Sequence, residues 1–177
     1  MDVEDAVDDY AIGLAITAAS RAVDRHCGRQ FGKTDTPVAR VFQGFWDYGS
    51  GGYAVDTLDF MTTVGLVVEG SAVIPSSAYT LTPRNAEADG RPYDRILLAS
   101  GGRVGDVTVT ATWGWTVVPK AVEQATAIQA LRFLKRKDSP FGVAGSPDAG
   151  SELRLLAKVD PDVAVALGPY KRMGVVA

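Results

Sequence analysis

A single cysteine, Cys27, and a single histidine, His26, stand in a chain of 177 residues. One thiol makes no disulfide within the chain, and two such residues fall short of a zinc site, which takes about four N, S or O ligands. Positive charge is not in excess either. The 18 Lys and Arg against 21 Asp and Glu leave a net charge of -3, which argues against wrapping nucleic-acid phosphates but not against a surface that DNA slides past. No apolar stretch approaches the roughly 18 residues of a membrane span, because charge, glycine or proline interrupts each one. The start, Met1-Asp2-Val3-Glu4-Asp5, is acidic where a secretory signal is positive, so synthesis in a cytoplasm is expected.

What is present is ordinary for a globular chain: 46% apolar and 22% charged residues, with 19 glycines and 9 prolines that imply many turns. The length fits one domain carrying an insertion. From Val3 to Cys27 apolar residues recur at helical spacing, with Ile12, Ile16, Ala19, Val23 and Cys27 on one stripe. The spacing predicts one long helix, with carboxylates in its first turns to suit the helix dipole and Gly28 to stop it. After Pro37 the period shortens toward alternation. Short strands are expected over 38–45, 66–68, 79–81, 96–98 and 107–115, separated by Gly49-Ser50-Gly51-Gly52, Glu69-Gly70, Asp89-Gly90 and Gly101-Gly102, in a small antiparallel sheet or barrel.

Pro119 suits the first position of a second helix through Ala121, Ala125, Ile128, Leu131 and Leu134 to the basic end Lys135-Arg136-Lys137. A long loop, 138–150, follows, then a short helix capped by Ser151 and running to Leu156. A last helix has Asp160 as N-cap, Pro161 in its first turn and Gly168-Pro169 as its stop. The expected fold class is α+β: a discontinuous helical bundle core, residues 1–36 and 117–168, with a small antiparallel β-domain inserted between the long helices at 37–116, and a tail at 169–177. Both long helices carry more apolar surface than one packing face needs. That surface is covered either by neighbouring copies or by the β insertion, and periodicity alone does not choose. Under the first alternative Ile12, Ile16, Ala19, Ala125, Ile128 and Leu131 form the oligomer interface.

Motifs for chemistry are few. Gly28-Arg29-Gln30-Phe31-Gly32-Lys33-Thr34 has three residues between its glycines where a phosphate-binding P-loop needs four, and it follows a helix rather than a strand. His26 and Cys27 are helix neighbours about 100 degrees apart, a poor nucleophile and base pair. Trp113 and Trp115, flanking Gly114, would share one face of a strand, so a nucleic-acid- or carbohydrate-binding module using them is the alternative function. No catalytic residue, cofactor or metal ligand is expected.

The segment Ala18-Ala19-Ser20-Arg21-Ala22-Val23-Asp24-Arg25-His26-Cys27-Gly28-Arg29-Gln30-Phe31 resembles the first helix of the head-tail connector (adaptor, head completion) family of tailed bacteriophages. Gly114-Trp115 leading through Val118-Pro119 into Ala121-Val122 resembles that family's strand-to-helix passage, and the run from Arg132 to Gly142 the end of its next helix. Asp160-Pro161-Asp162-Val163 with Pro169-Tyr170-Lys171-Arg172 resembles its C-terminus. The resemblance implies a structural virion protein of the neck, assembled in the host cytoplasm and not an enzyme. It implies a ring, usually twelvefold, beneath the portal, with a downstream stopper or tail-completion protein as a further partner and DNA passing through the centre without sequence-specific binding. It further implies a portal-binding tail, with Tyr170, Lys171, Arg172, Val175 and Val176 as the contact residues.

Overall fold

The computed structural model describes residues 3–99, 105–137, 143–144, 153–154 and 161–172. The chain divides into two compact units, one from Arg29 to Val118 and the other made of the residues up to Gly28 and from Pro119 onward. Residues 29–36 and 117–118 thus belong with the strands rather than with the helices, and the described tail residues, 169–172, group with the helices.

The β unit holds six strands: β1 Val38–Asp47, β2 Gly52–Phe60, β3 Val67–Glu69, β4 Tyr79–Thr82, β5 Tyr93–Leu98 and β6 Asp106–Ala111. They form one curled antiparallel sheet in the order β3-β6-β1-β2-β5-β4, a half-barrel. Alternation sets the inner face. In β6, Val107, Val109 and Ala111 point inward and are fully buried, while Thr108 and Thr110 between them face the other way. Val55, Phe60, Val68, Ile96, Leu98 and Trp113 complete this core, with Phe42 and Tyr93 packed at its margin. The register Phe42↔Val107, Val68↔Val109 and Val55↔Ile96 keeps these side chains on one face, and a slip of one residue would turn them all to solvent. The β1–β2 turn is made by Asp47, whose backbone oxygen accepts from Gly51 N (2.9 Å) and whose carboxylate accepts from Gly49 N (3.1 Å), with Gly51 at φ 69.

The helical unit contains α1 Val3–Cys27, α2 Lys120–Lys137 and α3 Pro161–Leu167, plus the short pair β7 Val143–Ala144 and β8 Leu153–Arg154. α1 buries Ala15, Ala19, Val23 and Cys27, one residue per turn, and ends at Gly28, whose φ of 62 only glycine adopts freely. α2 opens after Pro119, whose carbonyl accepts from Val122 N and Glu123 N, and buries Val122, Ala125 and Ala130. Val163 and Leu167 are the buried residues of α3.

Two expectations are corrected. The fold is not a helical bundle with a small β insert: it is strand-rich, and the described residues form one six-stranded half-barrel with three helices beside the short β7–β8 pair. The strand that tipped the balance, β2, reads poorly because Asp56, Thr57 and Asp59 interrupt its apolar pattern. The helix expected from Ser151 to Leu156 is strand at Leu153–Arg154, and the remainder of that segment, like the Asp160 cap, lies outside the described residues.

Candidate functional site

Of the six residues expected at an oligomer interface, two are core. Ala19 and Ala125 are buried in the helical unit, where small side chains let α1 and α2 approach closely, so they are withdrawn from the interface set. The other four face solvent: Ile12 is 41% exposed, Ile16 49%, Ile128 43% and Leu131 57%. Tyr10 and Leu14 are exposed as well. The pattern has a positional cause. Asp9, Ile12, Ile16 and Val23 share a face of α1, since residues three, four or seven apart stack along a helix. Toward the C-terminus that face is covered, as Val23 shows; toward the N-terminus it is bare. On α2 the bare stripe is Gln124, Ile128, Leu131 and Lys135, and all four are exposed.

The segment expected to reach the portal is partly anchored. Gly168–Tyr170 forms a 3-10 turn, Lys171 N donates to Gly168 O (3.2 Å), and Arg172 N donates to Cys27 O (2.8 Å), one of the carbonyls that α1 leaves without a helical donor. Tyr170 and Arg172 are half-buried and Lys171 is exposed. Val175 and Val176 lie outside the described residues.

The tryptophan platform does not exist. β6 ends at Ala111, the chain turns at Gly114 with φ 100, and both indoles are buried. Trp113 sits against Phe42 and edge-on to Phe60, with Nε1 donating to Val38 O (2.7 Å). Trp115 packs on Phe31, and its Nε1 donates to Asp59 Oδ2 (2.9 Å). Asp59 is itself buried and pairs through Oδ1 with Arg29 Nη1 at 2.7 Å, while its backbone oxygen accepts from Gly114 N (2.6 Å). Thr34 closes the same corner: Thr34 N donates to Trp113 O (2.8 Å), and Trp113 N donates to Thr34 Oγ1 (3.0 Å). The Asp59 carboxylate, both indole N–H groups and the Thr34 hydroxyl are thus hydrogen-bonded within the protein, closing this corner of the half-barrel. Sequence reasoning missed it, and the signal was there: two lone carboxylates in a strand need cations elsewhere in the chain, and Arg29 and Arg95 supply them.

Two further features are small. His26 Nε2 and Gln129 Oε1 are buried without a hydrogen-bond partner and both line a cavity of about 10 Å³ with Ala22, Val23, Val163 and Leu167. Burial, and then the charge of Lys171, holds the His26 imidazole below its ordinary value, so it stays neutral near pH 7. The cavity admits no organic ligand, because a single water already needs that volume. On the outer sheet face Arg95 lies over the Phe45 ring and pairs with Asp56 and Asp47; the turn hydrogen bonds from Ser50 and Gly49 hold the Asp47 carboxyl below its usual range. Among the described residues no three His, Cys, Asp or Glu side chains converge on a metal position, and no helix is long and apolar enough to cross a membrane. Compared with protein-family models and with curated proteins, the chain matches none.

Proposed function

We propose that this chain is a structural subunit of a tailed-bacteriophage neck, a head-tail connector that assembles as a ring beneath the portal, joins capsid to tail and lets DNA pass. The observation that carries the assembly part is the solvent exposure of Ile12, Ile16, Ile128 and Leu131 on the two long helices, where a monomer gains nothing from isoleucine or leucine. The phage assignment rests on the ordered resemblance of four segments along the chain. A net charge of -3 suits a lumen that does not hold phosphates. The competing nucleic-acid or carbohydrate module loses its site, since Trp113 and Trp115 are buried.

Light scattering of the purified protein, alone at rising concentration and mixed with portal, is expected to show a multimer of defined mass. A monomer under both conditions rejects the proposal. The partner contact is proposed for Tyr170, Lys171, Arg172, Val175 and Val176, and since the backbone N of Arg172 bonds Cys27 O, a truncation that keeps the fold falls after it. A chain ending at Arg172 is expected to fold and self-associate as before while losing portal binding. Unchanged portal affinity after that truncation rejects the tail as the contact.

A further inference from the structure

We infer that neighbouring copies join through an antiparallel, heterologous seam in which Asp9, Ile12 and Ile16 of one α1 meet Lys135, Leu131 and Ile128 of the next copy's α2. The inference rests on the ring reading above and adds to it which faces meet and in which direction.

Three observations converge on this pairing. First, the two bare stripes are of matched length. Asp9 to Ile16 and Ile128 to Lys135 each span eight residues, seven steps or about 10 Å of helix rise at 1.5 Å per residue. Second, all six residues are exposed within their own subunit, so the seam displaces no internal packing. Third, the charges run in opposite senses. α1 begins acidic, with Glu4, Asp5, Asp8 and Asp9 ahead of its bare apolar positions, and α2 ends basic, with Lys135, Arg136 and Lys137 behind its own.

Only an antiparallel crossing puts acid beside base and isoleucine beside leucine at the same time. Asp9 then faces Lys135, Ile12 faces Leu131, and Ile16 faces Ile128. A parallel crossing would set the acidic end of α1 against Gln124 and leave the basic end of α2 beyond Ile16. The antiparallel arrangement also brings the positive N-terminal pole of one helix beside the negative C-terminal pole of the other, so the dipoles reinforce the side chains. Because the two faces differ, the contact runs head-to-tail when a copy gives α1 to one neighbour and α2 to the other, whereas exchange of both faces between the same two copies closes a dimer. Repeated around an axis it closes into a ring, whereas a contact of α1 with α1 would stop at a dimer. Apolar contacts at the centre with a charged pair at the rim is the composition that stable interfaces adopt, the pair setting partner and register more than affinity.

The seam is tested with full-length copies bearing single cysteines and different tags, mixed and treated with a short thiol cross-linker; Cys27 is buried and does not compete. Ile16→Cys with Ile128→Cys, and Asp9→Cys with Lys135→Cys, are expected to link between copies, while Asp9→Cys with Gln124→Cys and each variant with itself are not. In parallel, Asp9→Lys and Lys135→Asp should each raise the concentration needed for assembly several-fold, and the two changes in one chain should bring it back toward the parent value. Linking of Asp9→Cys to Gln124→Cys, self-linking, or no recovery in the double reversal overturns the seam while an observed multimer leaves the ring reading standing. A parent protein that stays monomeric removes both.

Discussion

A chain carrying both Ile128→Asp and Leu131→Asp is expected to fold and to remain a monomer. Both positions are about half-exposed on α2, and surface substitutions of that kind change stability by roughly 0.5 kcal/mol or less. In an assembled ring the same side chains are covered, and an unpaired carboxylate enclosed by apolar neighbours costs several kcal/mol, about 3–5 for a buried charge stripped of its partner. Two such charges at every contact exceed what one seam of this size supplies. Circular dichroism and thermal melting should therefore match the parent, while light scattering reports a single subunit at concentrations where the parent assembles. Loss of helix would show instead that these residues serve the subunit's own packing. The control is Ala125→Asp, which places the charge in the α1–α2 contact and is expected to unfold the helical unit.

Gly114→Ala is expected to lower the stability of the β unit strongly. A Cβ at this position would stand 2.1 Å from Gly32 O and 2.9 Å from Lys33 Cα, both backbone atoms with no freedom to turn aside, and φ 100 is strained for any side chain. Backbone strain and overpacking together cost roughly 2–6 kcal/mol. For a chain of this length that lowers the melting temperature by roughly 5–20 °C. Relief of the clash requires residues 32–34 to move, which breaks the Thr34–Trp113 bonds and exposes Trp113, so near-ultraviolet circular dichroism of the indoles should collapse with the melt. Gly13→Ala is the comparison: nothing lies within 4 Å of its Cβ, and a helix interior favours alanine by about 1 kcal/mol. Equal melting temperatures for Gly114→Ala and the parent would show that the corner is looser than its hydrogen bonds imply.

The helices were legible because their signals are local. Gly28, Pro119 and the recurrence of Ala19, Val23 and Cys27 lie within a few residues of what they determine, although the buried row continues to Ala15 rather than to Ile16 and Ile12. The half-barrel was only partly legible, since β2 depends on partners far along the chain. Asp56 and Asp59 look like surface loop residues until Arg95 and Arg29, 39 and 30 positions away, are set beside them. The same distance problem misplaced the tryptophans. A two-residue spacing puts side chains on one face only while the strand continues, and β6 ends at Ala111, before the chain turns at Gly114. At the helices, periodicity identified apolar faces but not which of them the subunit itself covers. Alanines were assigned to the interface beside isoleucines, whereas the packing of α1 on α2 takes the small residues inward and leaves the branched ones outside.

The chain enters the half-barrel at Val38 and leaves it at Ala111, and these residues face each other on adjacent strands. The two tethers of the β unit therefore emerge side by side, latched by Thr34 and Trp113. Tension along the chain pulls across the β1–β6 ladder rather than along it, so the rungs take the load one at a time, starting with the latch. A sheet loaded in this way opens from the Val38–Ala111 end, the end opposite the Asp47–Gly52 hairpin. In mechanical terms the β unit is a zipper hung by its slider, with the buried Arg29–Asp59 pair and the two indoles acting as its stop.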